Sequence, residues 1–151
     1  MRRAVILLAA AAFLPAAIAS QAWAGATRTP FTVTEASVPI QDGNGWLSGH
    51  IFHVRGEVDE GPVTGDLTGT ITIVVNLNVD THSGQGELFG TFTLATADVT
   101  WSGHYTGSTT SDTSRGRFLG QGTNGSKLDG SFTQNGDGTF TLTGTILSPH
   151  G

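Results

Sequence analysis

Alternation of apolar and polar side chains over residues 67–79 is the feature that most constrains the fold. The odd positions carry Leu, Gly, Ile, Ile, Val, Leu and Val, whereas the even positions are mostly Thr and Asn. Successive side chains of a strand point to opposite faces, so this pattern predicts a strand with one apolar face, and no helical period fits it. The same alternation recurs in three later segments, 88–94, 99–107 and 139–146.

Turn signals separate these segments. Glycine combined with Asp, Asn or Pro marks turns at residues 42–45, 59–62, 80–84 and 135–138. The connections are short, which predicts antiparallel neighbours. Charged residues make up only 13% of the chain, which argues against a helical bundle. We predict eight strands, at about 30–38, 47–58, 66–79, 85–95, 99–109, 115–122, 128–134 and 139–148.

A degenerate five-residue repeat indicates how the sheet closes. The segments GDLTG (65–69), GELFG (86–90), GHYTG (103–107) and GRFLG (116–120) share the form G-x-h-x-G, where h is apolar or aromatic. Both glycines and the central residue lie on one face of a strand. Small and large residues repeated on one face suit a strongly curved, closed sheet. The fold class predicted is all-β, an eight-stranded antiparallel β-barrel.

The N-terminal segment has the pattern of a signal peptide. Arg2 and Arg3 precede an apolar run over residues 4–14, and Ala22 and Ala24 form an A-x-A-type cleavage site. An uncleaved anchor is the alternative, but the run is shorter than the ~20 residues that a membrane helix needs. We therefore expect an exported protein, periplasmic or secreted. The predicted organisation is 1–24 signal peptide, 25–46 N-terminal segment with the first strand, and 47–151 the rest of one barrel domain.

Composition excludes several function classes. The net charge is −5 and the chain has one lysine, Lys127, so a nucleic-acid partner is not expected. The absence of cysteine excludes disulfides and thiol catalysis. His50 and His53 lie three residues apart, which places them on opposite faces of a strand and gives no metal-ligand spacing. We expect neither a metal nor another cofactor.

The G-x-h-x-G strands, the segment RGRFLGQG (115–122) and the closing segment GTFTLTG (138–144) resemble allene oxide cyclase-like barrels. Dirigent proteins belong to the same structural group, and the resemblance covers about residues 47–148. It implies an eight-stranded antiparallel barrel whose lumen often holds an apolar ligand. Some members are cyclases or isomerases. The catalytic acidic and proline residues of the plant cyclases are not placed on this sequence, so the fold transfers better than the reaction.

Candidate site residues follow from the predicted apolar face. His50 and Tyr105 are the candidate catalytic pair, since each shares a face with apolar residues and could move a proton. Glu57, Glu87 and Asp98 are expected to point outward or to lie at the rims. The candidate ligand-binding residues are Phe52, Leu88, Phe92, Trp101, Tyr105 and Phe140.

The sequence leaves several functions open. The leading one is an exported barrel that binds a small apolar ligand in its lumen or serves as a structural or interaction module; a fully packed core is the competing interpretation of the lumen. The enzyme alternative is a cyclase or isomerase acting on an apolar substrate. An outer-membrane barrel is a third, disfavoured because the chain has few aromatic residues for membrane girdles. Homo-oligomers are conceivable if the 67–79 strand forms an exposed edge.

Overall fold

The computed structural model describes residues 25–149, and the predicted signal peptide lies outside them. The described part is all-β, and it contains no helix long and apolar enough to cross a membrane. The strands are β1 (Thr27–Glu35), β2 (Val38–Gln41), β3 (Asn44–Ser48), β4 (Ile51–Gly65), β5 (Gly69–Asp80), β6 (Gly86–Thr96), β7 (Thr100–Thr109), β8 (Ser114–Gly122), β9 (Lys127–Gln134) and β10 (Phe140–Ser148).

Eight of these strands form a closed antiparallel barrel. Their order is β1-β10-β9-β8-β7-β6-β5-β4, and a second pairing of β1 with β4 closes the circle. This confirms the predicted fold class. β2 and β3 lie outside the barrel, where both pair with β4. Together with the start of β4 and the end of β5 they form a small sheet that extends beyond one end of the barrel.

The seam between β1 and β4 depends on a glycine. β1 pairs with β10 along its whole length and with β4 only at its last three residues. At the end of β4, Gly65 has φ of +130°, and a Cβ there would lie 2.6 Å from the carbonyl oxygen of Thr32. Only glycine combines that conformation with so close an approach of two backbones. Asp66 then accepts a hydrogen bond from the Thr32 N–H at 2.8 Å.

Aromatic rings pack over the glycines of the G-x-h-x-G segments. A Cβ on Gly120 would lie 2.9 Å from the ring of Phe92, and one on Gly90 would lie 3.1 Å from the ring of Tyr105. The repeat therefore places a ring from one strand in the space that a glycine leaves on a neighbour, as occurs where aromatic side chains compensate strand glycines. Much of the space that the inward-facing glycines leave is filled in this way.

A β-bulge in β4 determines which of its side chains face the lumen. The register shifts between Val54, which pairs with Leu77, and Glu57, which pairs with Val75. Gly56 supplies the positive φ of +71° at this point. The extra residue places Glu57 on the same inward face as Asp59 and Val63.

The predicted turn at residues 59–62 is wrong, because β4 continues through it to Gly65. Pro62 is tolerated there because it lies opposite the break between β1 and β2, where regular pairing is interrupted. Its carbonyl accepts a hydrogen bond from the Ala36 N–H at 3.1 Å. Likewise β5 is not an edge strand, since β4 and β6 flank it. The free edges belong to β2 and β3.

Candidate functional site

The barrel encloses an apolar cavity of about 220 Å³. Every one of the eight barrel strands contributes at least one lining side chain, so the cavity occupies the lumen itself. Eight strands give an interior that side chains can just fill or that can hold one small ligand. Here the side chains leave space for such a ligand.

One end of the cavity is closed and apolar. Leu94 and Leu128 line it there and are almost fully buried. Below them, the indole N–H of Trp101 donates a 2.9 Å hydrogen bond to the hydroxyl of Ser126, and both residues are buried. This bond satisfies the polar groups that close the floor, so the deep end offers a ligand only apolar contacts.

The other end, which we call the mouth, carries the polar lining residues. β1 ends there at Glu35, and the chain continues to Ser37 before β2 begins. Across the mouth, the hydroxyl oxygens of Thr109 and Ser114 lie 2.8 Å apart, at the turn between β7 and β8. The lumen thus has polarity along its axis, apolar at the floor and polar at the mouth.

The structure brings four of the predicted ligand-binding residues to the cavity wall: Leu88, Phe92, Tyr105 and Phe140. Trp101 belongs to the buried core beneath the cavity and does not line it. Phe52 lies beyond the mouth, where β4 pairs with Leu47 of β3, and is 39% exposed. Alternation placed Phe52 on the correct strand but could not show that β4 extends beyond the end of the barrel.

His50 and Tyr105, the predicted catalytic pair, are not brought together. His50 lies in the turn between β3 and β4 with its side chain 55% exposed, and its Nε2 is 3.4 Å from a carboxylate oxygen of Asp80. Tyr105 lines the cavity and donates a 3.2 Å hydrogen bond to the carbonyl of Val74. Burial, with the carboxylates of Asp59 and Glu57 nearby, raises the pKa of Tyr105, so its phenol stays protonated.

The candidate site predicted from the sequence leaves out a group of carboxylates at the mouth, one of which, Glu57, is expected from the sequence to lie outward or at a rim. Glu35 lines the cavity at 2% exposure, and the Ser37 N–H donates to its Oε1. Asp59 also lines the cavity, and its buried Oδ1 has no hydrogen-bond partner within the described residues. Glu57 lies two residues away on the same face of β4, opposite the lining residue Val75. We call Glu35, Glu57 and Asp59 the mouth carboxylates.

Two signals in the sequence could have found the mouth carboxylates. Glu35 continues the alternation of Phe31 and Val33, whose side chains are buried. Counting back in twos from the buried Val63 leads to Asp59 and then to Glu57. The second signal is obscured by the turn-like residues at 59–62.

The environment of Asp59 makes proton binding favourable. Burial, together with the negative charges of Glu57 and Glu35, raises its pKa from 3.8 to about 6. The folded protein therefore holds this proton more tightly than the unfolded chain does. The resulting contribution to stability is present below about pH 4 and is lost as the pH rises through about 6.

We expect Asp59→Asn to raise the melting temperature at pH 7.5 by about 2–5 °C, because the variant removes a poorly solvated charge. At about pH 3 and below, where Asp59 is mostly protonated in both states, the two proteins should melt together. Thermal unfolding followed by circular dichroism across this range tests the prediction. Asp112→Asn, at the exposed β7–β8 turn, removes the same charge and should leave the pH profile unchanged. If the melting temperatures of wild type and Asp59→Asn differ by the same amount at every pH, the raised pKa of Asp59 is contradicted.

Comparison with protein-family models, with curated proteins and with solved structures found no match for this chain. Within the described residues, no group of three or more His, Cys, Asp or Glu side chains is arranged to hold a metal ion. What can be inferred about function therefore comes from the lumen and its mouth.

Proposed function

We propose that this protein binds a small apolar molecule in the lumen of its barrel. The observation that carries the proposal is the cavity of about 220 Å³, whose wall is almost entirely apolar. For comparison, an apolar protein cavity of about 150 Å³ stays dry and takes up benzene. Phe92, Phe140 and Leu88 give the wall flat and branched surfaces against which a ring or a short chain can pack.

The expected affinity follows from the size of the cavity. A molecule that fills it buries roughly 200 Å² of apolar surface, which is worth about 5 kcal/mol at ~25 cal/mol per Å². Simple hydrocarbons should therefore bind with a Kd on the order of 0.1–1 mM. This range is measurable by titration with NMR detection.

The test is uptake of propylbenzene by the purified protein with the lumen open or blocked. Leu88 lines the cavity toward the mouth and pairs with Gly107, so Leu88→Trp places an indole across the entrance. Leu119→Trp adds the same side chain to the outer surface, where Leu119 is 46% exposed. We expect wild type and Leu119→Trp to bind alike, and Leu88→Trp to bind at least tenfold more weakly. No uptake by wild type, or equal uptake by a folded Leu88→Trp, would overturn the proposal.

A cyclase or isomerase is the enzyme alternative, and one feature of the cavity favours it. Such a reaction needs a group that can give or take a proton inside the lumen, and Asp59 and Tyr105 both face it. The sequence resemblance to allene oxide cyclase-like barrels supports the same alternative. Since His50 lies outside the lumen, we assign it no part in such a reaction.

An interaction module is the other alternative, and exposed apolar side chains favour it. Val38 and Ile40 of β2, with Leu47 of β3, are each more than half exposed on strands with a free edge. An outer-membrane barrel would need an apolar exterior. The outward faces of the barrel strands carry mainly polar side chains, with Thr the commonest, which weighs against that alternative. Export, to periplasm or medium, is proposed from residues 2–24 alone.

A further inference from the structure

The carboxylates at the mouth of the cavity all lie on one side of it. Its polar lining residues include two carboxylates on neighbouring strands, Glu35 of β1 and Asp59 of β4. These strands meet at the seam, where Glu35 pairs with Val63, and Asp59 lies four residues before Val63 on the same face. The opposite side of the mouth presents the hydroxyl groups of Thr109 and Ser114, which are bonded to each other. A ligand in the lumen therefore meets negative charge on one side of its outer end.

Among the mouth carboxylates, Asp59 lacks a compensating hydrogen-bond donor within the described residues. Burial, Glu57 and Glu35 all disfavour the ionised form of Asp59, and they act in the same direction. The Oδ1 atom of Asp59 is buried without a hydrogen-bond donor in the described part of the chain. A buried acceptor without a donor costs about 1–3 kcal/mol, and more when it is charged. A ligand that supplies a donor and a positive charge would remove that cost.

We propose that the lumen selects, among small apolar molecules, those that carry one protonated amine, with the apolar body in the cavity and the ammonium group beside Glu35 and Asp59. This inference rests on the proposed function, since it names the class of ligand that the same cavity takes. An ammonium group has three donors and no acceptor, so it suits a mouth that offers mainly acceptors. A hydroxyl group would supply one donor but no charge. A carboxylate would add a further negative charge to the group.

The experiment compares three probes of similar size and shape at pH 7.5. They are 2-phenylethylamine, which is cationic; propylbenzene, which is neutral; and 3-phenylpropanoate, which is anionic. We expect the amine to bind at least tenfold more tightly than propylbenzene, because it adds a charge-assisted hydrogen bond to the same apolar burial. The anion should show no measurable binding. Calorimetry for the ionic probes and NMR titration for the hydrocarbon give the three constants.

Two variants locate the interaction at the mouth. Asp59→Asn and, independently, Glu35→Gln keep the shape of the side chain and remove the charge. Each should weaken amine binding about tenfold and leave propylbenzene binding within twofold of wild type. Asp112→Asn changes the net charge equally at the same end of the barrel but does not line the cavity, and it should change neither constant.

The dependence on pH gives a separate test. The titratable groups that face Asp59 are Glu35 of β1, Glu57 of its own strand and Tyr105 of β7. Tyr105 stays protonated, and Asp59 ionises as the pH rises. Amine affinity should therefore increase between pH 5 and pH 7.5, whereas propylbenzene affinity should stay constant. A flat profile for the amine would contradict the proposal.

The outcomes separate this inference from the proposed function. If propylbenzene binds in the lumen but the amine binds no more tightly, lumen binding stands and amine selection is overturned. Equal affinity for the anion and the amine would likewise overturn amine selection and leave lumen binding intact. If the amine binds but Leu88→Trp does not weaken it, the ammonium site lies outside the lumen and the proposal fails. If none of the probes binds, the proposed function itself fails.

Discussion

Replacing Phe118 by alanine should lower the free energy of unfolding by about 3–5 kcal/mol. Phe118 is buried on the inner face of β8, where its ring centroid lies 6.2 Å from that of Phe31 and 5.9 Å from that of Phe92. It also covers Gly130 of β9. Alanine would remove these contacts and leave a hole that the curved sheet cannot close. Urea unfolding of the two proteins measures the loss.

The next residue along β8 provides the matched control for Phe118→Ala. Leu119 points outward, so Leu119→Ala removes a side chain of similar size that contributes little to the core. We expect this variant to lose less than about 1 kcal/mol. Similar losses for both variants would mean that the inner and outer faces of β8 are assigned incorrectly.

Replacing Gly116 by alanine should also cost about 3 kcal/mol or more, although the change adds only a methyl group. The new Cβ would meet the carbonyl oxygen of Thr106 on β7 and would lie 2.6 Å from the ring of Phe132. Neither neighbour can move freely, because one is backbone and the other is packed between Tyr105 and Phe140. Chemical unfolding, with near-ultraviolet circular dichroism to report aromatic packing, measures the effect.

Gly136 is the control for this substitution. It lies in the turn between β9 and β10, its φ is negative, and a Cβ there would meet no atom within 4 Å. Gly136→Ala should be neutral or stabilise the protein by up to about 1 kcal/mol, since alanine restricts the unfolded chain. If Gly116→Ala were equally well tolerated, the close packing of rings over glycines would be disproved.

Much of the barrel could be predicted from the sequence because the patterns that define its strands are local. Alternation and turn residues placed β6, β7, β8 and β9 within about two residues of their observed ends. The G-x-h-x-G repeat indicated closure for a sound physical reason, since glycines permit neighbouring backbones and rings to approach closely. These features depend on residues that are close in sequence or on the neighbouring strand. The alternation of side chains along a strand reflects both kinds of contact.

The candidate site was less accessible, because it depends on contacts between distant segments. Because of the bulge at Gly56, simple alternation assigns the β4 residues before it and those after it to the wrong faces relative to each other. Only the pairing with β5 reveals the shift. Asp59 looked like a turn residue because Gly61 and Pro62 follow it, yet the chain stays extended beside the break between β1 and β2. Glu35 and Asp59 come together only because the last three residues of β1, which pair with β10 on one side, also pair with β4 at the seam.

The seam also dictates the order in which the molecule can assemble. Apart from the contacts of β1, every barrel strand pairs with its neighbour in sequence, so a hairpin meander from β4 to β10 can grow stepwise. The pairing of Thr27 with Ser148 joins the two ends of the described chain and has the highest loop-closure entropy cost. β1 is therefore synthesised before β10, its main partner, and the edge of β1 that pairs with β10 stays unpaired until the last strand is complete. An unpaired strand edge is a template for pairing with another chain, so copies of this chain associate most readily in that interval.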